Sequence, residues 1–325
     1  MRSAALLTAA AGTAAALLLS GCGSSEPAKP AADSKSQKIT LTDANGAKVR
    51  LDRPATKVVG TEWNVVESLV TLGVDPVGVA DVKGYTTWDK AAPLTNSPKD
   101  IGTRGEPSMD TIAGLTPDLI VATTDLSASA VKQMKKIAPV LQVRSADAAD
   151  QIGRMTDTLD LIAKATGKED AAKAAEKSYE AKVAEGKKAL KDAGLDGASI
   201  AFADGYAASN QVSVRAYTSG SQVGAVNEDL GLKNAWKIKG DKDYGLATTD
   251  VEGLTGLGDT TQFAYIGNKS EGDVFTKDLA GNSVWKSLPF VKAGDVHRLP
   301  DGIWMFGGPK SMEQYIDALV GALTK

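Results

Sequence analysis

From Lys57 onward, short apolar runs punctuated by Gly and Pro alternate with stretches of helical periodicity, and the alternation breaks once, in the middle of the chain. Residues 57–60, 76–80, 118–122 and Val140–Val143 read as strands. The run at 118–122 is almost unbroken in its apolar character, as in a parallel strand covered on both faces. Between them, Asn64 is placed to cap a helix through Leu72 that Gly73 ends, and Ser108 opens another to Gly114. The pattern resumes with strands at 199–202, 212–217, 262–266 and 296–299. Helices fall between Ser221 or Gly220 and Leu230, and over 284–288. Ser311-Met312-Glu313-Gln314 has capping-box form, and Met312, Tyr315, Ile316, Leu319 and Leu323 make an apolar face behind it. Alternation of this kind builds α/β layers. In the break, Ile152, Met155, Leu159 and Ile162 fall at +3, +4, +3 before Gly167. A second helix follows over Glu169–Asp192, with a weak stripe of Ala171, Ala175, Tyr179, Val183 and Leu190. At 1.5 Å per residue it is roughly 35 Å long. So long and polar a helix either bridges two bodies or lies solvated on one of them.

The first residues obey different rules. Arg2 is followed by a run at 4–19 dominated by Ala and Leu, then by Leu19-Ser20-Gly21-Cys22. Charge, a short apolar run and small residues at the cut make a secretory signal. The Cys at the cut resembles the bacterial lipobox, whose thiol is lipidated. The reading is a signal peptide over 1–21, then lipidated Cys22 on a small, polar, Pro-marked tether at 22–37. Acyl chains anchor at about 0.8 kcal/mol per buried CH₂. The expected location is therefore the extracytoplasmic face of the cell membrane. Ile39–Thr42 and Lys48–Leu51 then form a hairpin about Asn45-Gly46.

Composition narrows the function. Without the signal, 36 Lys and Arg face 40 Asp and Glu, which excludes the basic surface a nucleic-acid binder needs. About 304 residues exceed one comfortable core and suggest two lobes. Cys22 is the only cysteine, so no disulfide forms. His297 is the only histidine, too few for a zinc or manganese site, and it reads as a strand residue after a Gly turn. No G-x-S-x-G, H-E-x-x-H or P-loop appears, so an enzyme is not expected.

The two halves echo each other. Asp110 and Glu252 each stand seven residues ahead of Pro117 and Asp259, and each lies in a segment leading into a strand. Together with Ile101-Gly102-Thr103-Arg104-Gly105-Glu106-Pro107, Thr116-Pro117-Asp118-Leu119-Ile120, Asn234-Ala235-Trp236 and the segment 285–294, the chain resembles the class III solute-binding proteins of iron–siderophore ABC importers. The hydroxamate binders are nearest among them. The resemblance implies two α/β lobes at 38–147 and 194–325, joined through helices at 148–193 that include a long rigid one, with a ligand cleft between the lobes. It implies a monomeric receptor that uses no cofactor. Its ligand would be an Fe(III)–siderophore whose own oxygens hold the iron, and its partner an ABC permease.

Carried onto this sequence, the resemblance places Arg104 and Arg215 against the ligand, with the guanidinium fork donating to its oxygens. Trp304 and Phe306 line the cleft, and Tyr244 stands where ferrichrome-type binders carry a Trp. Trp63 follows a strand, and Tyr85 and Trp88 fall in a polar loop, where large aromatics need a covering. Tyr217 alternates with Arg215 on one strand face, which is either ligand-facing or merely polar. Trp236 and Trp285 read as structural. Asp110 and Glu252, with Glu106 as the rival in the first lobe, would dock onto permease arginines, or else simply favour helix N-termini. Alternatives on the same fold are a cobalamin or haem receptor, the latter ligated through Tyr85 or Tyr244. From other classes come a secreted lipoprotein enzyme and a sensor partner or adhesin.

Overall fold

The computed structural model describes residues 38–208, 211–269 and 272–325. The expected signal, tether and Cys22 lie outside the described residues. The described residues form one compact unit.

The antiparallel hairpin β1 (Ile39–Thr42) and β2 (Lys48–Leu51) opens the fold. The first lobe runs β3 (Val58–Gly60), α1 (Trp63–Thr71), β4 (Gly78–Val79), α2 (Val82–Trp88), β5 (Lys99–Asp100), α3 (Met109–Leu115), β6 (Leu119–Thr123), α4 (Ala128–Met134) and β7 (Val140–Val143). Its sheet is wholly parallel, in the order β5-β4-β3-β6-β7. One face packs Leu119, Val121 and Leu141 against α1. The other packs Ile120, Ala122 and Val140 against Ile112 and Met134.

Two helices follow, α5 (Gln151–Thr166) and α6 (Glu169–Asp192). Asp150 caps the first by accepting from Gly153 N at 2.8 Å, and Gly167 ends it at φ 67°. Each helix belongs to both lobes. In α5, Leu159, Ile162 and Ala163 join the first lobe's core, whereas Met155 joins the second's. In α6, Ala172 and Ala175 join the first, and Tyr179 and Leu190 the second. Of the expected stripe, Ala175, Tyr179 and Leu190 are buried and Ala171 and Val183 pack partly buried against the two cores, while Ala172 and Gly186 are buried in addition. A Cβ at Gly186 would meet Ile316 and Leu230 at 2.8 Å.

The second lobe holds β8 (Ser199–Ala208), β9 (Gln211–Tyr217), α7 (Gln222–Asp229), β10 (Lys233–Asn234), β11 (Leu246–Thr249), β12 (Gln262–Tyr265), α8 (Ser283–Ser287), α9 (Pro289–Ala293), β13 (Val296–Arg298) and α10 (Pro309–Leu323). Its sheet runs β11-β9-β8-β12-β13, with β10 beside β8. Pairing is parallel at β8–β12 and β12–β13 but antiparallel at β8–β9 and β9–β11. His297 lies in β13, and its Nε2 is 2.7 Å from Gln262 Oε1.

Several local readings need correction. Glu62, not Asn64, caps α1, accepting from Trp63 N at 2.9 Å. The polar loop at Tyr85 and Trp88 is the helix α2. Pro309 starts α10 two residues before Ser311, so no capping box forms there. The echoed segments fold differently, one as α3 and the other as a 3-10 turn over Glu252–Gly256.

Candidate functional site

The loops leaving the carboxyl ends of β3, β6 and β7 bring Glu62, Asp125 and Ser145 to one wall of a cleft. Glu62 and Trp63 lie in the β3–α1 turn. Trp63 is almost fully buried, with its indole N–H donating to Ala80 O at 3.2 Å. Arg104 lies over this ring, its guanidinium carbon 4.0 Å from the centroid, while Nη1 donates to Glu62 Oε1 at 2.7 Å. The indole face attracts the cation, and the carboxylate fixes where the guanidinium sits.

The facing wall comes from the segment between β13 and α10. Trp304 meets Trp63 edge-on across the lobe boundary, with centroids 4.7 Å apart. Phe306 follows Trp304 at 5.1 Å and touches Tyr244 at 5.6 Å. The Tyr244 hydroxyl reaches back to the first lobe and donates to Asp125. Burial, then that carboxylate, raises the pKa of this phenol. Arg215 reaches the same space from β9. Asp204 on β8 grips it through both oxygens, with Nε donating at 2.9 Å, and its guanidinium carbon is 5.7 Å from the Phe306 centroid. Burial lowers the Arg215 pKa, but the neighbouring Tyr217 hydroxyl and Asp204 carboxylate more than offset this and raise it.

These groups enclose a cavity of about 380 Å³ lined by Trp63, Trp88, Arg104, Arg215, Tyr244, Trp304 and Phe306. Seven of the nine expected ligand-facing residues therefore meet in one place. Side chambers of about 470 and 280 Å³ adjoin it, the first beyond Arg104 and Tyr244, the second beyond Trp88, Arg215 and Trp304. Wider depressions lie elsewhere, at about 410 Å³ beside α5 and about 880 Å³ beside Glu252. Neither carries the convergence of rings and guanidinium groups found in the cleft.

Two expected residues do not line it. Tyr85 is fully buried within α2, its hydroxyl donating to Ala92 O at 2.5 Å. It packs beneath Trp63, which also removes it as a haem ligand. Tyr217 is fully buried under Phe306 and donates to Asp204 at 3.0 Å. Asp110 in the first turn of α3, Glu252 and Glu106 are all exposed and stand outside the cleft.

Sequence reasoning missed the carboxylates. Glu62, Asp125 and Asp204 each hold one of the recognised side chains, yet each reads as an ordinary polar residue in its segment. Asn64 also lines the cavity, and its buried Oδ1 has no partner. Among the described residues, no group of three or more His, Cys, Asp or Glu is placed to hold a metal ion.

Two α/β lobes, a helix pair threaded through both cores and a ring-lined cleft define a solute-binding protein of the rigid-helix class. The chain matches the Periplasmic binding protein family over residues 58–302 and belongs to that family. It is 30% identical over 305 residues to the Fe(3+)-citrate-binding protein YfmC of Bacillus subtilis (strain 168), covering 92% of this chain and 90% of that one. It is 28% identical over 314 residues to the iron(3+)-hydroxamate-binding protein FhuD of the same organism, covering 94% of each. The solved structure of Fe3+–Desferal-bound FhuD from Vibrio cholerae matches with a TM-score of 0.74 at 27% identity, covering 83% of this chain and 98% of that one.

Proposed function

We propose that this protein captures a ferric siderophore of the hydroxamate class in the cleft and presents it to an ABC permease for iron uptake. The observation that carries the reading is the pairing of both cleft arginines with carboxylates, Arg104 with Glu62 and Arg215 with Asp204, among five aromatic side chains. Asp125 adds a further negative charge at Tyr244. Such a cleft offers apolar faces and directed N–H donors but little net positive charge. Three hydroxamate anions balance the ferric charge, so the iron-bearing core of the chelate carries no negative charge. Catecholate and citrate chelates stay anionic and would need cations not already answered by acids. The iron arrives with its coordination complete, which suits a cleft of rings and guanidinium groups.

Trp63, Trp88 and Trp304 border the cavity, so intrinsic fluorescence reports its filling. Ferrioxamine B and ferrichrome are expected to quench the emission at lower concentration than ferric citrate or a ferric tricatecholate. Preference for the anionic chelates, or no quenching by any of the four at micromolar concentration, would overturn the reading.

Delivery rests on exposed Asp110 and Glu252, one from each lobe, with Glu106 as the rival in the first. Cys22, lipidated, would hold the receptor beside its permease on the outer face of the membrane. Asp110→Arg with Glu252→Arg is expected to abolish uptake by cells while the purified receptor still binds. Undiminished uptake would refute the docking assignment.

A further inference from the structure

Glu67 is the one charged residue of α1, and it is fully buried. Its carboxylate crosses from the first lobe to the second. Oε2 accepts from Gly308 N at 2.7 Å and Ser311 Oγ at 2.8 Å, and Oε1 accepts from Ser311 N at 2.8 Å. The two amides among these donors are free ones at the start of α10, where a negative charge is favoured. Contact is close enough that a Cβ on Gly307 would lie 2.2 Å from Oε2. The segment held in this way is the one that carries Trp304 and Phe306.

A second carboxyl group stands against the first. Asp89, just past α2, is 1% exposed and within hydrogen-bonding reach of Glu67. Its Oδ1 accepts a long bond from Ala92 N, at 3.3 Å, the Ala91 amide lies near the same carboxyl, and its Oδ2 is buried without a hydrogen-bond partner. The other groups facing this pair are Tyr85, whose hydroxyl is committed to Ala92 O, and Arg154 of α5, which donates to Gln222. Two bare carboxylates cannot share such a site.

We propose that Asp89 stays protonated and donates a hydrogen bond to the Glu67 carboxylate, and that this carboxylic acid–carboxylate pair is the positioning element that seats the Trp304–Phe306 wall of the cleft. The proton belongs on Asp89, because Glu67 already accepts three donors that stabilise its anion. Burial, then the Glu67 charge, pushes the Asp89 pKa up to about 10. An acid whose pKa is higher folded than unfolded takes up a proton on folding. Its stabilising effect is full below pH about 4 and declines as pH rises toward the folded value.

The test uses the ligand-free protein, so its failure is separate from any failure of the siderophore reading. In the wild type the melting temperature should fall between pH 5 and pH 9. Asp89→Asn, which keeps a donor without a titrating proton, should flatten that fall while leaving the near-UV circular dichroism of the Trp63–Trp304 pair in place. Glu67→Gln turns an N–H toward the α10 amides, so it should lose that dichroism and shift tryptophan emission to the red. If Glu67→Gln does not fold, the comparison of wild type with Asp89→Asn decides alone. Parallel pH profiles for those two proteins, or a Glu67→Gln spectrum superimposable on wild type, would overturn the proposal.

Discussion

Arg104 illustrates how much one side chain in this cleft does. It covers the Trp63 ring at 4.0 Å and holds a bond to Glu62, leaving the remaining N–H groups of its fork for a ligand. A charge-assisted bond to a ligand oxygen and a cation–π contact together suggest about 1.5–3 kcal/mol. Arg104→Ala should therefore weaken ferrioxamine B binding by roughly ten- to a hundredfold in a fluorescence titration. Arg104→Lys should fall between, since an ammonium lacks the planar fork. An affinity unchanged by Arg104→Ala would place the ligand elsewhere. Tyr85 makes the contrasting case. Losing its hydroxyl in Tyr85→Phe leaves Ala92 O unpaired, at a cost of about 1–3 kcal/mol in stability by chemical denaturation with no direct contact to the ligand lost. The sequence marks Tyr85 and Trp88 alike, as aromatics among polar neighbours. Only the turn of α2 decides that Trp88 faces the cavity and Tyr85 the core. The same limit applies to Tyr217, since strand alternation cannot say that Phe306 will cover it.

The segment that carries Tyr244 is an element built by one carboxylate. Asp241 accepts from Asp243 N at 2.9 Å, Tyr244 N at 2.6 Å and Leu246 N at 2.9 Å. Gly245 then takes φ 64° and lies so near Gly220 that a Cβ would stand 2.0 Å from its carbonyl carbon. Partial burial raises the Asp241 pKa, but the backbone donors outweigh it and hold it below the usual carboxylate range. With a lowered folded pKa, the stabilisation is present above about pH 4 and is lost as pH falls through the folded value. The tyrosine dichroism from Tyr244 should fade on acidification from pH 5 to pH 3, and Asp241→Asn should show the loss already at neutral pH. A dichroism signal insensitive to both would mean that the turn holds without its carboxylate. Elements of this kind are poorly legible in sequence. Long periodic helices such as α5 and α6, and apolar strands such as β6, follow from spacing alone. The short pieces β4, β5, β10 and β11 have two to four residues and owe their existence to neighbouring strands. Glu67 escaped notice for a related reason, because α1 is buried on nearly every side and its lone charge answers a helix about 240 residues away.

At the scale of the molecule, the question is whether the lobes close on a ligand. Hinge closure would require both α5 and α6 to bend, because each contributes side chains to both cores within a few turns. It would also rework the bonds that cross the boundary. Gln151 Nε2 donates to Gly220 O at 3.0 Å and Asp243 O at 2.9 Å, Lys90 N donates to Gly302 O at 3.0 Å, and Arg154 Nη2 donates to Gln222 Oε1 at 2.6 Å. The neutral bonds among these contribute about 1 kcal/mol each, and the one from the Arg154 guanidinium about 1.5–3 kcal/mol. Separating the buried Glu67 carboxylate from its donors costs more, about 3–5 kcal/mol by analogy with other broken buried pairs. An arrangement with the lobes swung apart is then a rare member of the ensemble, and a ligand has little displacement left to drive. Small-angle X-ray scattering of the free and ferrioxamine B-loaded protein should give superimposable curves, and a clear contraction on loading would refute the rigid-helix account. Because the charged clamp is the costliest crossing, Glu67→Gln is the variant in which a ligand-dependent contraction should first emerge.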